Sequence, residues 1–378
     1  MSDKVSIRVF DSSITFIKEI DTYKNFTYRI NFYQAGIFMI RFELSQDQNK
    51  QNTKKKILDL FQKNYLIMVG NNAKKVGIVK ERKYILSSNG DYIEIRGYEL
   101  KYILSQRNTL PTAPISSNSH QAFSSVATET VMKDMVDRNC INTSDFDSNL
   151  IIPLLEIDTD QSRGSLIDFN TRLKNLSKEL EKAGRGDNIG YEVYIDTTTK
   201  KYKFEVLIPT DHTSTSSEKV IFTLKLDNIK DLVYVDTDIG SSNYSIVAGQ
   251  GSGAARTIIS TGDAVSGVDL YSNIVDARDL SSTADLTARG NERVEELRPV
   301  ESFNATIKNI PPFEYETKYK VGDLVTLRDD ELGILVDKQI LQATEYYQTG
   351  ELKIELQLGD KPQDFITDTE IKADIGVE

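Results

Sequence analysis

The sequence contains no tryptophan, one cysteine, two histidines and only eight prolines in 378 residues. A single cysteine, Cys140, excludes an intramolecular disulfide framework and fits a protein assembled in a reducing cytosol. No run approaches the ~20 apolar residues that span a bilayer, so no membrane segment is expected. The first residues lack a basic stretch followed by an apolar core, so no secretory signal is expected either. The two histidines leave little material for imidazole catalysis. His120 lies in a Ser/Asn-rich stretch, and His212 directly follows Asp211, where adjacent side chains diverge instead of pairing. Cys140 has no neighbouring histidine or basic cluster to activate it and reads as a buried thiol.

Motifs for metals and cofactors are equally scarce. No CxxC or HExxH spacing occurs. Asp158 and Asp160, like Asp236 and Asp238, alternate with threonine but lack the glycine and distal glutamate of a calcium loop. The Gly-rich residues 249–253 lead into Arg256-Thr257-Ile258-Ile259-Ser260, a strand pattern, whereas a phosphate cradle requires a helix there. A hairpin turn or interface loop is the expectation. No catalytic, cofactor-binding or metal-binding residue is assigned, and no enzymatic role is expected. Glycoside hydrolysis is the hardest chemistry to exclude, because two carboxylates suffice and the chain holds 57 acidic residues.

What the sequence does contain is β patterning. Tyr28, Ile30 and Phe32 alternate with polar residues, then Phe38, Ile40 and Phe42 do so after a turn at Gln34-Ala35-Gly36. The run Leu66-Ile67-Met68-Val69 and segments near 76–86 and 91–96 add further strands, with a short helix at about 54–63. A linker is expected at 108–122 and a helix at 124–138. Leu166, Phe169, Leu173, Leu176, Leu180 and Ala183 recur at spacings of three and four, which predicts a helix over 165–183. Its apolar seam suits either its own domain's sheet or a neighbouring subunit. A hairpin follows at 191–208, then strands near 219–226, 231–235, 243–248 and 255–260. A helix at 283–297 is stopped by Pro299.

The expected class is α+β, mainly β: two antiparallel barrel-like domains with a mixed helical and hairpin insertion between them. The expected divisions are 1–110, 111–218 and 219–359, with an acidic tail at 360–378. Charge is split along the chain. Residues 1–110 carry 19 Lys/Arg against 11 Asp/Glu, net +8, while the chain as a whole is −11. Lys54, Lys55 and Lys56, together with Lys74 and Lys75, are the expected docking charges toward an acidic partner.

Three groups of segments resemble the Gp37-like siphovirus tail protein family and, more distantly, the hubs of contractile-tail baseplates. The first comprises Ile7-Arg8-Val9-Phe10-Asp11, Gln34-Ala35-Gly36-Ile37-Phe38, and Gly97-Tyr98-Glu99-Leu100 leading to Leu104-Ser105-Gln106-Arg107. The second comprises 165–183, Gly190-Tyr191-Glu192-Val193 and Ala248-Gly249-Gln250-Gly251. The third comprises Gly322-Asp323-Leu324-Val325-Thr326-Leu327, Glu331-Leu332-Gly333, Thr344-Glu345 and Leu358-Gly359. The resemblance implies a structural hub of a tail tip or baseplate, from a phage or a phage-derived particle, located in the virion tail and assembled in the host bacterial cytoplasm. It implies a homotrimeric ring joining a hexameric tail tube or distal tail ring to spike, tape-measure or tail-fibre proteins. No stable, specific nucleic-acid binding is expected. The alternative is a cell-wall-directed tail-associated glycoside hydrolase or carbohydrate-binding module.

Overall fold

Alternation builds the first hairpin. In the computed structural model, which describes residues 4–44, 50–86, 90–111, 120–143, 146–348 and 351–360, strands β1 (Ile7–Phe10), β2 (Phe16–Ile20), β3 (Asn25–Asn31) and β4 (Ile37–Leu44) come first. Phe26 and Tyr28 of β3 face inward with Phe38, Ile40, Phe42 and Leu44 of β4, all buried. The turn between them needs Gly36, because a Cβ there would sit 1.9 Å from the Arg29 carbonyl oxygen.

Helix α1 (Lys50–Leu60) precedes β5 (Leu66–Val69), β6 (Val76–Ile85) and β7 (Asp91–Glu99). The continuous apolar run of β5 is a strand buried on both faces: Ile67 and Val69 join one core, and Leu66 and Met68 the other. Pairing runs in the order Ile334–Gln348, β3, β4, β7, β6, β5, β1, β2, antiparallel throughout. The class is thus mainly β with few helices, as expected.

Beyond helix α2 (Tyr102–Ser105) come β8 (Gln121–Ala127), helix α3 (Thr128–Val136), β9 (Leu155–Ile157) and β10 (Leu166–Thr171). Helix α4 (Leu176–Arg185) leads into the hairpin β11 (Gly190–Asp196) and β12 (Lys201–Leu207). The helix expected over 165–183 is therefore corrected to a strand followed by a shorter helix. Residues 166–171 pair with β8, where the Asp168 carboxylate accepts from Ser124 Oγ and Ser125 N. Leu173 then adopts a left-handed φ of +52°, and Asn175 caps α4 by accepting from Lys178 N. Leu176, Leu180 and Ala183 are buried in their own chain's core, while Leu166 and Leu173 are exposed. The helix expected at 124–138 begins only at Thr128. Residues 112–119 of the expected linker, and 361–378 of the expected acidic tail, lie outside the described residues.

The chain divides into two compact units, Met1–Asp231 with Ala305–Leu356, and Leu232–Asn304 with the residues from Gln357. In the first, strand Ile334–Gln348 pairs with three strands, Glu351–Leu358 among them. Its first half pairs with strand Leu324–Asp329 and its second half with β3. Short strands Asp211–His212 and Ile221–Phe222 add to Leu324–Asp329 in parallel. The second unit holds a three-stranded sheet covered on one face by helix Thr283–Glu296, close to the expected 283–297. No helix among the described residues is long and apolar enough to cross a membrane.

The corrected helix gives a test. Leu180→Ala, at a fully buried position, should lower unfolding free energy by about 2–5 kcal/mol. Leu166→Ser, at a side chain 68% exposed on β10, should change it by less than about 0.5 kcal/mol. Urea unfolding of the two variants checks this. Equal losses would restore a continuous helix with both leucines on one buried face.

Candidate functional site

Several charges, most of them buried, converge in the first unit around the turn between β5 and β6. Asn72 shapes this turn: its N–H donates to Val69 O, its carbonyl accepts from Lys75 N, and its side-chain oxygen accepts from Lys74 N at 3.0 Å. Lys74 and Lys75 then diverge. Lys74 Nζ donates to Glu192 and to Glu205 Oε2 (2.7 Å), which face each other across the β11–β12 pair. Lys75 Nζ donates to Glu345 Oε1 at 2.5 Å, pairs with Glu316 at 2.8 Å, and lies 5.6 Å from the Tyr315 ring centroid. These lysines, expected as docking charges, both pair within their own unit; Lys75 is buried and Lys74 is half exposed.

A second pair lies beside the first. Glu99 Oε2 accepts from Gly36 N at 2.6 Å and Asn31 N at 3.1 Å. Lys101 Nζ stands 3.9 Å from it and donates to the carbonyls of Asn31, Phe32 and Tyr191, the last two at 3.2 Å. The β3–β4 turn and the β11–β12 hairpin are thereby joined. Burial raises the Glu99 carboxyl above its usual range, against the opposing pull of Lys101, and lowers the Lys101 ammonium against that of Glu99. Burial likewise raises Glu345 and Glu192, each only partly offset by its lysine. Between the pairs lies a cavity of about 370 Å³, lined by Asn31, Lys74, Lys75, Lys101, Glu192 and Tyr315 among others.

Glu192 and Glu205 superficially resemble a glycosidase pair, one carboxyl raised and the other lowered. Their geometry does not suit that chemistry. One ammonium, Lys74 Nζ, is hydrogen-bonded to both, filling the gap that a glycosidic oxygen would need.

The other candidates are scattered. His212 Nδ1 lies 2.5 Å from Glu218 O and its Nε2 3.7 Å from Asp323, whose carboxylate also accepts from Thr210 N and Lys320 N. Asp211 turns away to accept from Thr213 N. His120 is exposed at the start of β8. Cys140 is fully buried, and burial pushes its thiol up to about 12, leaving it in the unreactive thiol form. Asp158 accepts from Tyr194 Oη and Asp160 from Thr130 Oγ1, so the two engage different partners. Asp236 and Asp238 are exposed in the second unit. Among the described residues no three His, Cys, Asp or Glu side chains converge as metal ligands.

The Gly-rich residues 249–253 belong to the connection between strands Tyr244–Ala248 and Ile258–Gly262. A Cβ at Gly249 would strike Leu286, and Gly251 has a φ of +108°. Arg256 closes the turn by donating to the carbonyls of Gly249 and Ala248. On α1, Lys54 lies over the Tyr84 ring at 3.5 Å, while Lys55 and Lys56 are exposed.

One further buried knot escaped sequence reasoning. Glu129, fully buried on α3, accepts from Lys133 (2.7 Å) and from the Nε of Arg163 (2.7 Å). Burial alone would raise its carboxyl, but these hydrogen bonds outweigh it and hold the group down at about 2. The i,i+4 spacing of Glu129 and Lys133 was the only available signal.

Comparison with known proteins supplies context for this arrangement. The model of the Siphovirus ReqiPepy6 Gp37-like protein family matches residues 6–360. No curated protein matches the sequence. Three solved structures share the fold from end to end. A tail protein from Neisseria meningitidis MC58 is 11% identical, with a TM-score of 0.52 over 95% of this chain and 97% of that one. The 43 kDa tail protein of prophage MuSo2 from Shewanella oneidensis is 10% identical, with a TM-score of 0.53 over 94% and 97%. The prophage tail protein gp18 from Listeria monocytogenes EGD-e is 10% identical, with a TM-score of 0.50 over 98% and 99%.

The Glu129 knot predicts a pH dependence with a definite sign. Its carboxyl is lower in the folded state than in the unfolded chain. It therefore adds stability above the ordinary carboxylate range that is lost as pH falls from about 4.5 toward 2. Arg163→Met should cost about 1.5–3 kcal/mol at pH 7, since Lys133 still pairs with Glu129, and less near pH 3. Urea unfolding at both pH values measures the difference, and an equal cost at each would remove Glu129 from the account.

Proposed function

Because the chain belongs to the Siphovirus ReqiPepy6 Gp37-like protein family, we propose that it is the structural hub of a tail tip or baseplate and not an enzyme. Three copies form a ring. One side meets the hexameric tail tube or distal tail ring, and the other meets spike, tape-measure or tail-fibre proteins. The ring belongs to the virion tail and is assembled in the host cytoplasm. Segments 1–110 and 219–359 supply its β layers, and 111–218 adds contact surface.

The observation that carries this reading is the extent of the match, residues 6–360, which runs through both compact units. The internal chemistry supports it. The carboxylate pair nearest to an enzymatic arrangement, Glu192 and Glu205, is bridged by Lys74. A closed ring is the economical way to repeat one interface without open-ended growth.

Lys75 is buried in an internal pair, so the basic surface offered to an acidic neighbour consists of exposed residues such as Lys55 and Lys56 on α1 and Lys63, Arg82 and Lys83 beside it in the chain. Native mass spectrometry of the purified chain should give three times 42.7 kDa. A chain that stays monomeric at every concentration would sink the ring. Lys55→Glu with Lys56→Glu should weaken binding to purified tube protein about tenfold at low salt, with a smaller effect at 0.5 M salt. Unchanged binding would remove α1 from the docking face.

A further inference from the structure

One lysine–carboxylate pair of the first unit has the parts of a condensation site. Lys75 Nζ donates to Glu345 Oε1 at 2.5 Å, and only 9% and 1% of the two side chains are exposed. A second carboxylate, Glu316, reaches the same ammonium at 2.8 Å. At the other oxygen of Glu345, Tyr347 Oη donates to Oε2 at 2.5 Å. Backbone structure fixes all four. Lys75 N donates to Asn72 O and its carbonyl accepts from Val69 N, both at 3.0 Å. Glu345 and Tyr347 stand opposite Tyr28 and Phe26 of β3. Glu316 has a φ of +66° in a turn closed by its N–H on Tyr319 O, a conformation a glutamate keeps only when its surroundings impose it.

The electrostatics favour an uncharged pair at this position. Burial raises the Glu345 carboxyl, Lys75 opposes that rise, and Glu316 adds to it. Burial and the neighbouring Glu345 push the Tyr347 phenol up, so it keeps its proton and remains a donor. The other lysine pairs each lack a part. Glu129 is held ionised by Arg163, and an ionised carboxylate resists attack by an amine. Lys74 is half exposed, and its two carboxylates hold its ammonium in the charged form. Lys101 stands 3.9 Å from Glu99 and spends its protons on three backbone carbonyls.

We propose that Lys75 and Glu345 join in an intramolecular isopeptide bond, with Glu316 as the general base and Tyr347 as the donor to the developing oxyanion. A proton passes from Lys75 Nζ to Oε1 of Glu345, leaving a neutral amine beside a neutral acid. The nitrogen lone pair then attacks Cδ of Glu345, forming the N–C bond, while Tyr347 stabilises the charge gathering on Oε2. Glu316 takes a second proton from the nitrogen and passes it to the departing hydroxyl. The Cδ–Oε1 bond breaks with its electron pair on oxygen, and one water leaves. Glu316 returns to its starting state, and no co-reactant is consumed. Lys75 and Glu316 both line the 370 Å³ cavity, which gives the water a way out. Groups held in contact inside a folded chain react as if at very high concentration, which is what a condensation otherwise disfavoured in water requires. The bond ties together positions 270 residues apart and so fastens the two chain segments that make up the first unit.

The mass of the full chain tests this directly. Under denaturing conditions it should be about 18 Da, one water, below the 42.7 kDa of the sequence. Trypsin should then release peptide 75–80 joined to peptide 339–353, with no cleavage after Lys75. Glu316→Gln, which keeps both reacting groups, should form the bond at least about a hundredfold more slowly, with circular dichroism unchanged. A wild-type chain that keeps its full mass overturns the proposal. So does a loss of water that maps to a single linear peptide, as an aspartyl imide would give. A bond that forms equally fast in Glu316→Gln overturns the role given to Glu316.

Discussion

Two adjacent lysines, held in one tight turn and aimed at different segments, fix the interior of the first unit. Lys74 reaches the β11–β12 hairpin, where Glu192 and Glu205 stand opposite each other. Lys75 reaches Glu345 on the long strand Ile334–Gln348. Glu99 and Lys101 repeat the arrangement a few ångströms away, tying the β3–β4 turn to Tyr191. Lys75 answers Glu345, which is almost wholly buried, so removing that lysine strands an acid away from water, whereas Lys74 is half exposed and its pairs are screened by solvent. The loss of Lys75 costs several kcal/mol, a sizeable share of a domain's net stability.

Buried ion pairs seldom add stability over well-packed apolar replacements. Cohesion comes instead from strands such as β1 and β5, which contribute side chains to cores on both sides of the sheet. A sheet greasy on both faces has many ways to be covered. The hypothesis that follows is that the lysine pairs select one register: the hairpin and the long strand fit only where Glu192, Glu205 and Glu345 meet their partners.

Local periodicity made much of the fold legible. The alternation in β3 and β4, the hairpin β11–β12 and the helix near 283–297 are all where the sequence placed them, because each is set by neighbours in the chain. The 165–183 segment failed for a physical reason. Leu166 and Phe169 fit a helical spacing, but the chain turns at Leu173 with a positive φ, and Asn175 caps a new helix. The six well-spaced apolar positions span that break without marking it. The lysine site was not legible. Lys74 and Lys75 look like surface charge in sequence, and their partners lie more than a hundred residues away. Pairing over that separation depends on topology, including parallel neighbours such as Tyr244–Ala248 with Ser272–Asp276, which leave no local mark.

The two units use charge in opposite ways. The first binds its charges inward and buries large side chains such as Tyr28, Phe38 and Tyr191 in extended cores. The second has a sheet core of Val247, Ala277 and Leu286, a modest cluster, and leaves Ile258 and Ile274 in solvent. A small segment buries a smaller fraction of its surface, which leaves such side chains in water. An exposed apolar face invites uncontrolled aggregation, and here the net charge of −6 over 232–304, from 5 Lys/Arg against 11 Asp/Glu, opposes it.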